Sequence, residues 1–135
     1  MGNFCAKLSM MGAKILFVDD DHELLQILSD EFSARGFEIS LARSGQEFRT
    51  QVFKNKPQVI VLDIMLDQEN GVDVYNQLLR QGFDPKVPVI FLSSLASDRI
   101  PSPAAPRRNY ALRAKPIHME ELYQEIVCFV NAALA

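Results

Sequence analysis

The spacing of apolar and polar residues changes repeatedly along the chain between residues 14 and 134. Five short apolar runs predict β-strands: KILFV (14–18), FEISLA (37–42), QVIVLD (58–63), VPVIFLS (87–93) and YALRA (110–114). Four other segments place apolar residues three or four positions apart, which predicts helices over 24–32, 44–53, 72–81 and 119–134. Strands and helices therefore alternate along most of the chain.

Continuous apolar strands that alternate with helices are typical of a parallel sheet covered by helices on both faces. We therefore predict an α/β fold with a doubly wound, five-stranded parallel sheet. The segment 94–109 interrupts the pattern, because Pro101, Pro103 and Pro106 lack a backbone N–H and resist helix continuation. We expect an irregular or shortened fourth helix in this segment.

The composition is that of one domain with a mildly acidic charge. The chain has 135 residues, of which 48% are hydrophobic, and a formal net charge of −3. This length is ordinary for a single domain, and the negative charge argues against direct nucleic-acid binding. Cys5 and Cys128 are far apart and form no CxxC pattern, so we predict unpaired thiols in a reducing compartment. We place Cys128 on the buried face of the last helix.

The first residues differ in character from the rest. Residues 1–12 lack the apolar core of a signal peptide, and no stretch approaches the roughly 20 apolar residues of a membrane span. We therefore predict a flexible N-terminal tail over 1–12, one domain over 13–135, no membrane association and a cytoplasmic location.

Reactive polar side chains follow four of the predicted strands. The carboxyl ends of parallel strands line one edge of a sheet, so these side chains are expected to meet there. They are Asp19, Asp20, Asp21, Asp63, Ser93, Ser94 and Lys115. Neighbouring carboxylates repel unless they share protons or bind a cation, and a few carboxylates open to water favour Mg²⁺. With an ammonium nearby, such a site suits a phosphoryl group and an aspartate nucleophile.

Each of these residues alone has a simpler interpretation. An aspartate just before a helix is often its N-cap, and Asp20 and Asp21 are both candidates for that role. Ser93 and Ser94 alone are typical of turns, and Lys115 alone is typical of a solvated surface. Their joint placement at four strand ends favours a shared site.

In these motifs the sequence resembles the receiver domain of two-component response regulators. The resemblance covers about residues 14–134 and rests on KILFVDDD, on VIVLDIML followed by Gly71, on PVIFLSS and on AKPI. It implies a flavodoxin-like (βα)5 fold. It also implies a phosphoprotein that accepts a phosphoryl group in a Mg²⁺-dependent reaction and then changes its surface to pass on a signal. The donor would be a phosphohistidine on a histidine kinase or phosphotransfer protein.

The resemblance implies a role for each matching acid. Asp63 matches the phosphoacceptor. Asp19, Asp20 and Asp63 match the metal-binding carboxylates, and Met65 matches a residue that supplies a backbone carbonyl to the metal. Asp21 has no corresponding role, and we expect it to be a helix N-cap.

The resemblance also implies how the phosphoryl group is held. Ser93 matches a hydroxyl that moves to contact a phosphoryl oxygen, and Lys115 matches a lysine that pairs with the group. Ser94 would donate a backbone N–H to it. Pro116 follows Lys115 in a peptide bond that is often cis in the family.

The sequence departs from the family pattern in four places. Asp67 replaces a common proline in the loop after Asp63, and Leu112 stands where an aromatic switch residue is usual. We do not expect Tyr110 to replace that switch. The prolines interrupt the fourth helix, and the segment 99–113 is basic without any acid. We therefore doubt the usual dimer through the fourth helix, fifth strand and last helix, while docking of an acidic partner by this segment remains an open alternative.

Three functions remain in comparison. The first is a phosphorylatable receiver, a switch that catalyses only its own phosphorylation and dephosphorylation. The second is a degenerate receiver that acts as a phosphorylation-independent interaction module. The third is a phosphohydrolase of the haloacid-dehalogenase type, which expects an acid two residues after the nucleophile, where this chain has Met65. The intact set of acids, Ser93 and Lys115 favours the first.

Overall fold

The computed structural model describes residues 12–94 and 110–134. Five strands lie in these ranges: β1 (Lys14–Val18), β2 (Glu38–Ala42), β3 (Val59–Asp63), β4 (Val89–Ser93) and β5 (Tyr110–Ala114). Four helices lie there as well: α1 (His22–Ala34), α2 (Gly45–Asn55), α3 (Gly71–Arg80) and α4 (Met119–Leu134). Each of them falls where the apolar spacing predicts a strand or a helix.

The five strands form one parallel sheet in the order β2-β1-β3-β4-β5. This confirms the predicted doubly wound, flavodoxin-like fold. Strand β3 occupies the centre, and every one of its residues is buried. Its neighbours are β1, in which Val18 is level with Leu62, and β4, in which Leu92 is level with Asp63. The ends of β1 and β4 therefore flank Asp63 on either side.

Two apolar cores cover the two faces of the sheet. Alternate strand residues point to opposite faces, so Leu16 and Ile60 pack in one core while Ile15 and Val61 pack in the other. The first core includes residues of α2 and α3, and the second includes residues of α1 and α4. Fully burying each large aliphatic or aromatic side chain contributes about 1.5–3 kcal/mol, so the sheet is held firmly from both sides.

Side-chain caps fix where three helices begin. Asp21 accepts hydrogen bonds from the backbone N–H groups of Glu23 and Leu24 at the start of α1. Ser44 caps α2 and Asn70 caps α3 in the same manner. The expected N-cap role of Asp21 is thus confirmed. All three caps satisfy otherwise unpaired donors of a first helical turn, close to the carboxyl edge of the sheet.

One expectation about the last helix was wrong. The buried residues of α4 are Leu122, Ile126 and Val130, whereas Cys128 is exposed. A residue two positions from Ile126 lies on the far side of a helix with 3.6 residues per turn, so the apolar neighbours of Cys128 do not place it in the core.

Tyr110 on β5 is partly exposed, and its ring lies edge-on to that of Phe91 at 6.1 Å.

Several expectations concern other parts of the chain. Residues 1–11 of the predicted tail 1–12, with Cys5 among them, and residues 95–109 of the predicted fourth-helix segment 94–109 lie outside the described residues. The boundary between tail and domain stays a prediction. None of the helices in residues 12–94 and 110–134 combines the length and the apolar character that a membrane span requires.

A close backbone approach places Gly71 against the phosphoacceptor candidate. A Cβ atom at Gly71 would lie 2.3 Å from the backbone carbonyl oxygen of Asp63, which cannot move without shifting β3. We expect Gly71→Ala to lower the free energy of unfolding by about 1–3 kcal/mol, the usual cost of overpacking. Urea unfolding measures this change.

Gly45→Ala is the matched control, because Gly45 is also the first residue of a helix. Its Cβ would meet mainly the flexible carboxylate end of Glu69, which can move aside. We expect a smaller loss than for Gly71→Ala. Equal stability of Gly71→Ala and the wild type would contradict the close approach.

Candidate functional site

Three carboxylates meet at the carboxyl edge of the sheet. Oxygen atoms of Asp19, Asp20 and Asp63 all lie within 4.8 Å of one another. Asp19 and Asp63 are only 2% and 3% exposed, whereas Asp20 faces solvent. The pairing of β1 with β3 brings these acids together, since Asp19 and Asp20 follow β1 and Asp63 ends β3.

Lys115 brings a positive charge to the two buried acids. Its Nζ donates to Oδ2 of Asp19 at 2.8 Å and to Oδ2 of Asp63 at 3.3 Å. Lys115 follows β5, which is separated from β3 by β4, and its backbone N–H bonds to the carbonyl of Ser93 at 2.8 Å. The side chain therefore reaches across the end of β4. The Lys115–Pro116 peptide bond is cis, as the resemblance implied.

Backbone donors hold the same two carboxylates. Oδ1 of Asp63 accepts the N–H of Met65 at 3.1 Å, and Oδ1 of Asp19 accepts the N–H of Asp21 at 2.9 Å. In each acid one oxygen thus faces the backbone and the other faces Lys115. This arrangement fixes the direction of both side chains before any ligand binds.

The electrostatics at Asp63 are unfavourable to its ionised form. Burial, followed by repulsion from Asp19, raises the pKa of Asp63 from 3.8 to about 6, although Lys115 and the Met65 N–H act in the opposite direction. Burial and Asp19 also raise the pKa of Asp20. For Lys115, burial alone would lower the pKa, but the hydrogen bond to Asp19 and the two carboxylate charges outweigh it and raise the pKa. One ammonium therefore does not fully compensate the acids.

The donor set fits a divalent cation. Carboxylate oxygens are hard ligands, and three of them at this separation leave room for water ligands on the exposed side of Asp20. The raised pKa of Asp63 also indicates a site where an added positive charge would be stabilising. Asp19, Asp20 and Asp63 could therefore hold Mg²⁺.

The other predicted site residues lie on adjoining segments. Ser93 ends β4, is 1% exposed and is level with Ala114 of β5. Ser94 is exposed directly after it, and Met65 is 47% exposed in the loop after β3. The structure thus places Lys115 in direct contact with Asp19 and Asp63, and it brings a carboxylate oxygen of Asp20 within 4.8 Å of theirs. It places Ser93, Ser94 and Met65 at or next to the same strand ends.

Sequence reasoning missed the contacts that shape the loop after Asp63. Gly71 donates its N–H to the carbonyl of Ile64 at 2.6 Å, and Leu66 donates to the carbonyl of Glu69 at 3.1 Å. Asn70, which forms a bridge with Met65, also caps α3. The dipeptide Asn-Gly before a helix is a recognisable cap and turn signal, and it was the one cue in the sequence to this local structure.

Comparison with known proteins agrees with this geometry. The family model for the response regulator receiver domain matches residues 15–127. The response regulator MprA of Mycobacterium sp. (strain KMS) is 32% identical over 112 residues, which cover 83% of this chain and 48% of that protein. MprA of Mycobacterium leprae (strain TN) is 32% identical over 113 residues. The chain therefore spans about half the length of these curated relatives.

Solved structures show the same likeness. The receiver domain of the Francisella response regulator 1452 superposes with a TM-score of 0.77 at 27% identity, covering 90% of this chain and 99% of that one. A two-component response regulator from Clostridium difficile gives a TM-score of 0.78 at 22% identity, covering 91% and 99%, and it shows the shared fold. The fold, the acidic edge and the family match lead to one conclusion: the chain belongs to the receiver domain family of response regulators.

Proposed function

We propose that Asp63 is the phosphoacceptor of this receiver domain and that the reaction requires Mg²⁺ held by Asp19, Asp20 and Asp63. The observation that carries the proposal is the position of Asp63. It is buried at the centre of the sheet edge, with one oxygen anchored by the Met65 N–H and the other facing Lys115. The backbone carbonyl of Met65 is proposed as a further ligand.

The transfer would proceed by direct displacement at phosphorus. A carboxylate oxygen of Asp63 forms a bond to phosphorus, the bond between phosphorus and the donor's histidine nitrogen breaks, and the histidine keeps that electron pair. Bound Mg²⁺ would supply charge neutralisation for the transferred group. Lys115 is placed to pair with a phosphoryl oxygen, because its Nζ already lies 3.3 Å from Asp63. Ser93 and the N–H of Ser94 are proposed as further contacts.

The same contacts suggest how the signal begins. Lys115 donates hydrogen bonds to both Asp19 and Asp63. A phosphoryl group on Asp63 would add negative charge next to Lys115 on the Asp63 side. Lys115 directly follows β5, so a change in its hydrogen bonds to Asp19 and Asp63 would also move the end of β5 and the surface that β5 and α4 form. The pairing of Lys115 with the two carboxylates and its pairing with the phosphoryl group are proposed as the two states of the switch.

The proposed partners follow from the chemistry. A histidine kinase or phosphotransfer protein would supply the phosphoryl group, and a downstream protein would recognise the phosphorylated surface. The domain would act as a switch that catalyses only its own phosphorylation and dephosphorylation. A cytoplasmic location remains a prediction.

The proposal is tested by incubating the protein with acetyl phosphate and Mg²⁺ and recording its intact mass. We expect one phosphoryl adduct, absent without Mg²⁺ and absent in Asp63→Asn. Asp67→Asn is the matched control, since it removes an exposed acid from the same loop, and it should form the adduct. A wild-type protein that binds Mg²⁺ but forms no adduct would favour the phosphorylation-independent interaction module. Release of phosphate from small esters with repeated turnover would favour the phosphohydrolase.

Two neighbouring acids should separate metal binding from helix capping. Asp20 lies in the carboxylate cluster, whereas Asp21 caps α1 through the N–H groups of Glu23 and Leu24. We expect Asp20→Ala to weaken Mg²⁺ binding at least tenfold, since metal sites depend strongly on their ligand count. Asp21→Ala should lower the free energy of unfolding by about 1 kcal/mol while binding Mg²⁺ nearly as well as the wild type. Calorimetric titration and urea unfolding give the two quantities, and the reverse pattern would reject the assignment.

The raised pKa of Asp63 predicts a pH-dependent stability in metal-free protein. Its pKa rises from 3.8 to about 6 on folding, so between these values the folded state binds the proton more tightly than the unfolded chain. The stabilisation from Asp63 is therefore present below the lower value and is lost as pH rises through the higher one. At pH 7.5, above both values, Asp63→Asn should be more stable than the wild type by about 3 kcal/mol.

This stability difference should shrink as the pH falls from about 6 towards 4. Urea unfolding in the presence of a chelator measures it at each pH. A difference that is the same at pH 4 and pH 7.5 would contradict the raised pKa.

A further inference from the structure

A single arginine joins three separate elements beside the loop that follows Asp63. Arg49 projects from α2 and donates from Nη2 to Oε1 of Glu69 at 2.8 Å and from Nη1 to Oε2 of Glu69 at 3.3 Å. It also donates from Nε and Nη2 to Oε1 of Gln77, on α3, at 3.1 and 2.9 Å. Both edges of its guanidinium group are thus engaged. Such a two-sided fork fixes geometry more strictly than a single ion pair.

The carboxylate of Glu69 has a second support. Its Oε2 lies where a Cβ atom on Gly45 would be, at only 1.8 Å, so glycine at the first residue of α2 leaves the space it occupies. A carboxylate over the first turn of a helix is stabilised by the positive end of the helix dipole. The Glu69 side chain is therefore seated by Gly45 as well as by Arg49.

The backbone of Glu69 is tied in turn to the proposed metal loop. Its carbonyl accepts the N–H of Leu66 at 3.1 Å, and Met65 forms a bridge with Asn70. Met65 is the proposed carbonyl ligand, and its own N–H bonds to Asp63. A continuous set of contacts thus runs from Arg49 through Glu69 to the backbone of Leu66, and the neighbouring Asn70 pairs with Met65.

We propose that Arg49, Glu69 and Gln77 form a clamp that positions the metal-binding loop for Mg²⁺. This inference rests on the proposed function, because it assigns the loop the task of presenting Met65 to the metal. Arg49 is a positioning residue and not a ligand. With the clamp in place the loop is ordered before the metal arrives, so binding does not have to order it.

The direction in which Mg²⁺ affinity changes when Arg49 is removed shows whether Arg49 acts through its charge or as a clamp. If Arg49 acted only through its charge, its removal would make the region more negative, and Mg²⁺ would bind more tightly. If Arg49 acts as a clamp, its removal loosens the loop, and Mg²⁺ binds more weakly. The two effects have opposite directions, so one titration separates them.

We expect Arg49→Ala to weaken Mg²⁺ binding about threefold to tenfold, as for other residues that support a ligand without touching the metal. Arg35→Ala is the matched control. Arg35 is likewise half-buried and bonds to two side chains, Glu31 and Glu120, but it lies against α4 on the opposite face of the sheet. Its loss should change Mg²⁺ affinity less than twofold. Isothermal titration with MgCl₂ gives the dissociation constants.

Further variants distinguish a clamp from general damage. Arg49→Lys cannot reach both Glu69 and Gln77, so it should recover only part of the affinity while leaving the charge unchanged. The double variant Arg49→Ala with Glu69→Gln should bind Mg²⁺ only slightly more weakly than the single variant with the lower affinity, since both substitutions break the same contact. In metal-free protein, the amides of Leu66 and Gly71 should exchange hydrogen faster in Arg49→Ala than in Arg35→Ala.

The outcomes divide cleanly. Equal or tighter Mg²⁺ binding by Arg49→Ala, with a wild type that binds Mg²⁺ and is phosphorylated, would overturn the clamp and leave the proposed function intact. A wild-type protein without measurable Mg²⁺ binding would overturn the proposed function and the clamp's role together.

Discussion

The structure is organised around one buried electrostatic conflict, the two carboxylates of Asp19 and Asp63 beside the single ammonium of Lys115. Asp19 and Asp63 are almost fully buried, and burying like charges is costly unless something compensates them. Lys115 contacts both, yet the pKa of Asp63 still rises to about 6. Lys115 therefore does not fully compensate the two acids, so an added positive charge would stabilise the site.

The fold holds the two buried carboxylates close together despite their repulsion. Asp63 ends the central strand, which is fixed by β1 and β4 and by a core on each face. Gly71 approaches the backbone of Asp63 so closely that α3 begins directly against it. Backbone N–H groups from the following residues direct one oxygen of each buried acid. The two buried acids therefore have little freedom to move apart.

Much of this could be predicted from sequence because the relevant signals are local or periodic. The run VIVLD predicts a buried strand that ends in an acid, and parallel strands bring their ends to one edge, which predicts the meeting of Asp19, Asp63 and Lys115. The buried face of α4 was harder to predict from the sequence. Val127, Cys128 and Phe129 are all apolar, so the pattern alone did not show that Ile126 and Val130 are the buried positions.

The contacts of Arg49 lie beyond what sequence could predict. An arginine and a glutamate 20 residues apart carry no mark of pairing. Their contact depends on how α2 lies against the loop and on the space left by Gly45. Long side chains on different elements meet through the tertiary arrangement, and the periodicity of one element does not report it.

The central claim is that burial and repulsion from Asp19 raise the pKa of Asp63, and that a bound divalent cation would lower it. The most direct measurement is a pH titration of the side-chain carboxyl carbon of Asp63 by ¹³C NMR, without metal and then with saturating MgCl₂. We predict a midpoint at about pH 6 without metal and a clear shift to lower pH with Mg²⁺. A midpoint near the ordinary value of 3.8 that does not move when Mg²⁺ is added would contradict it.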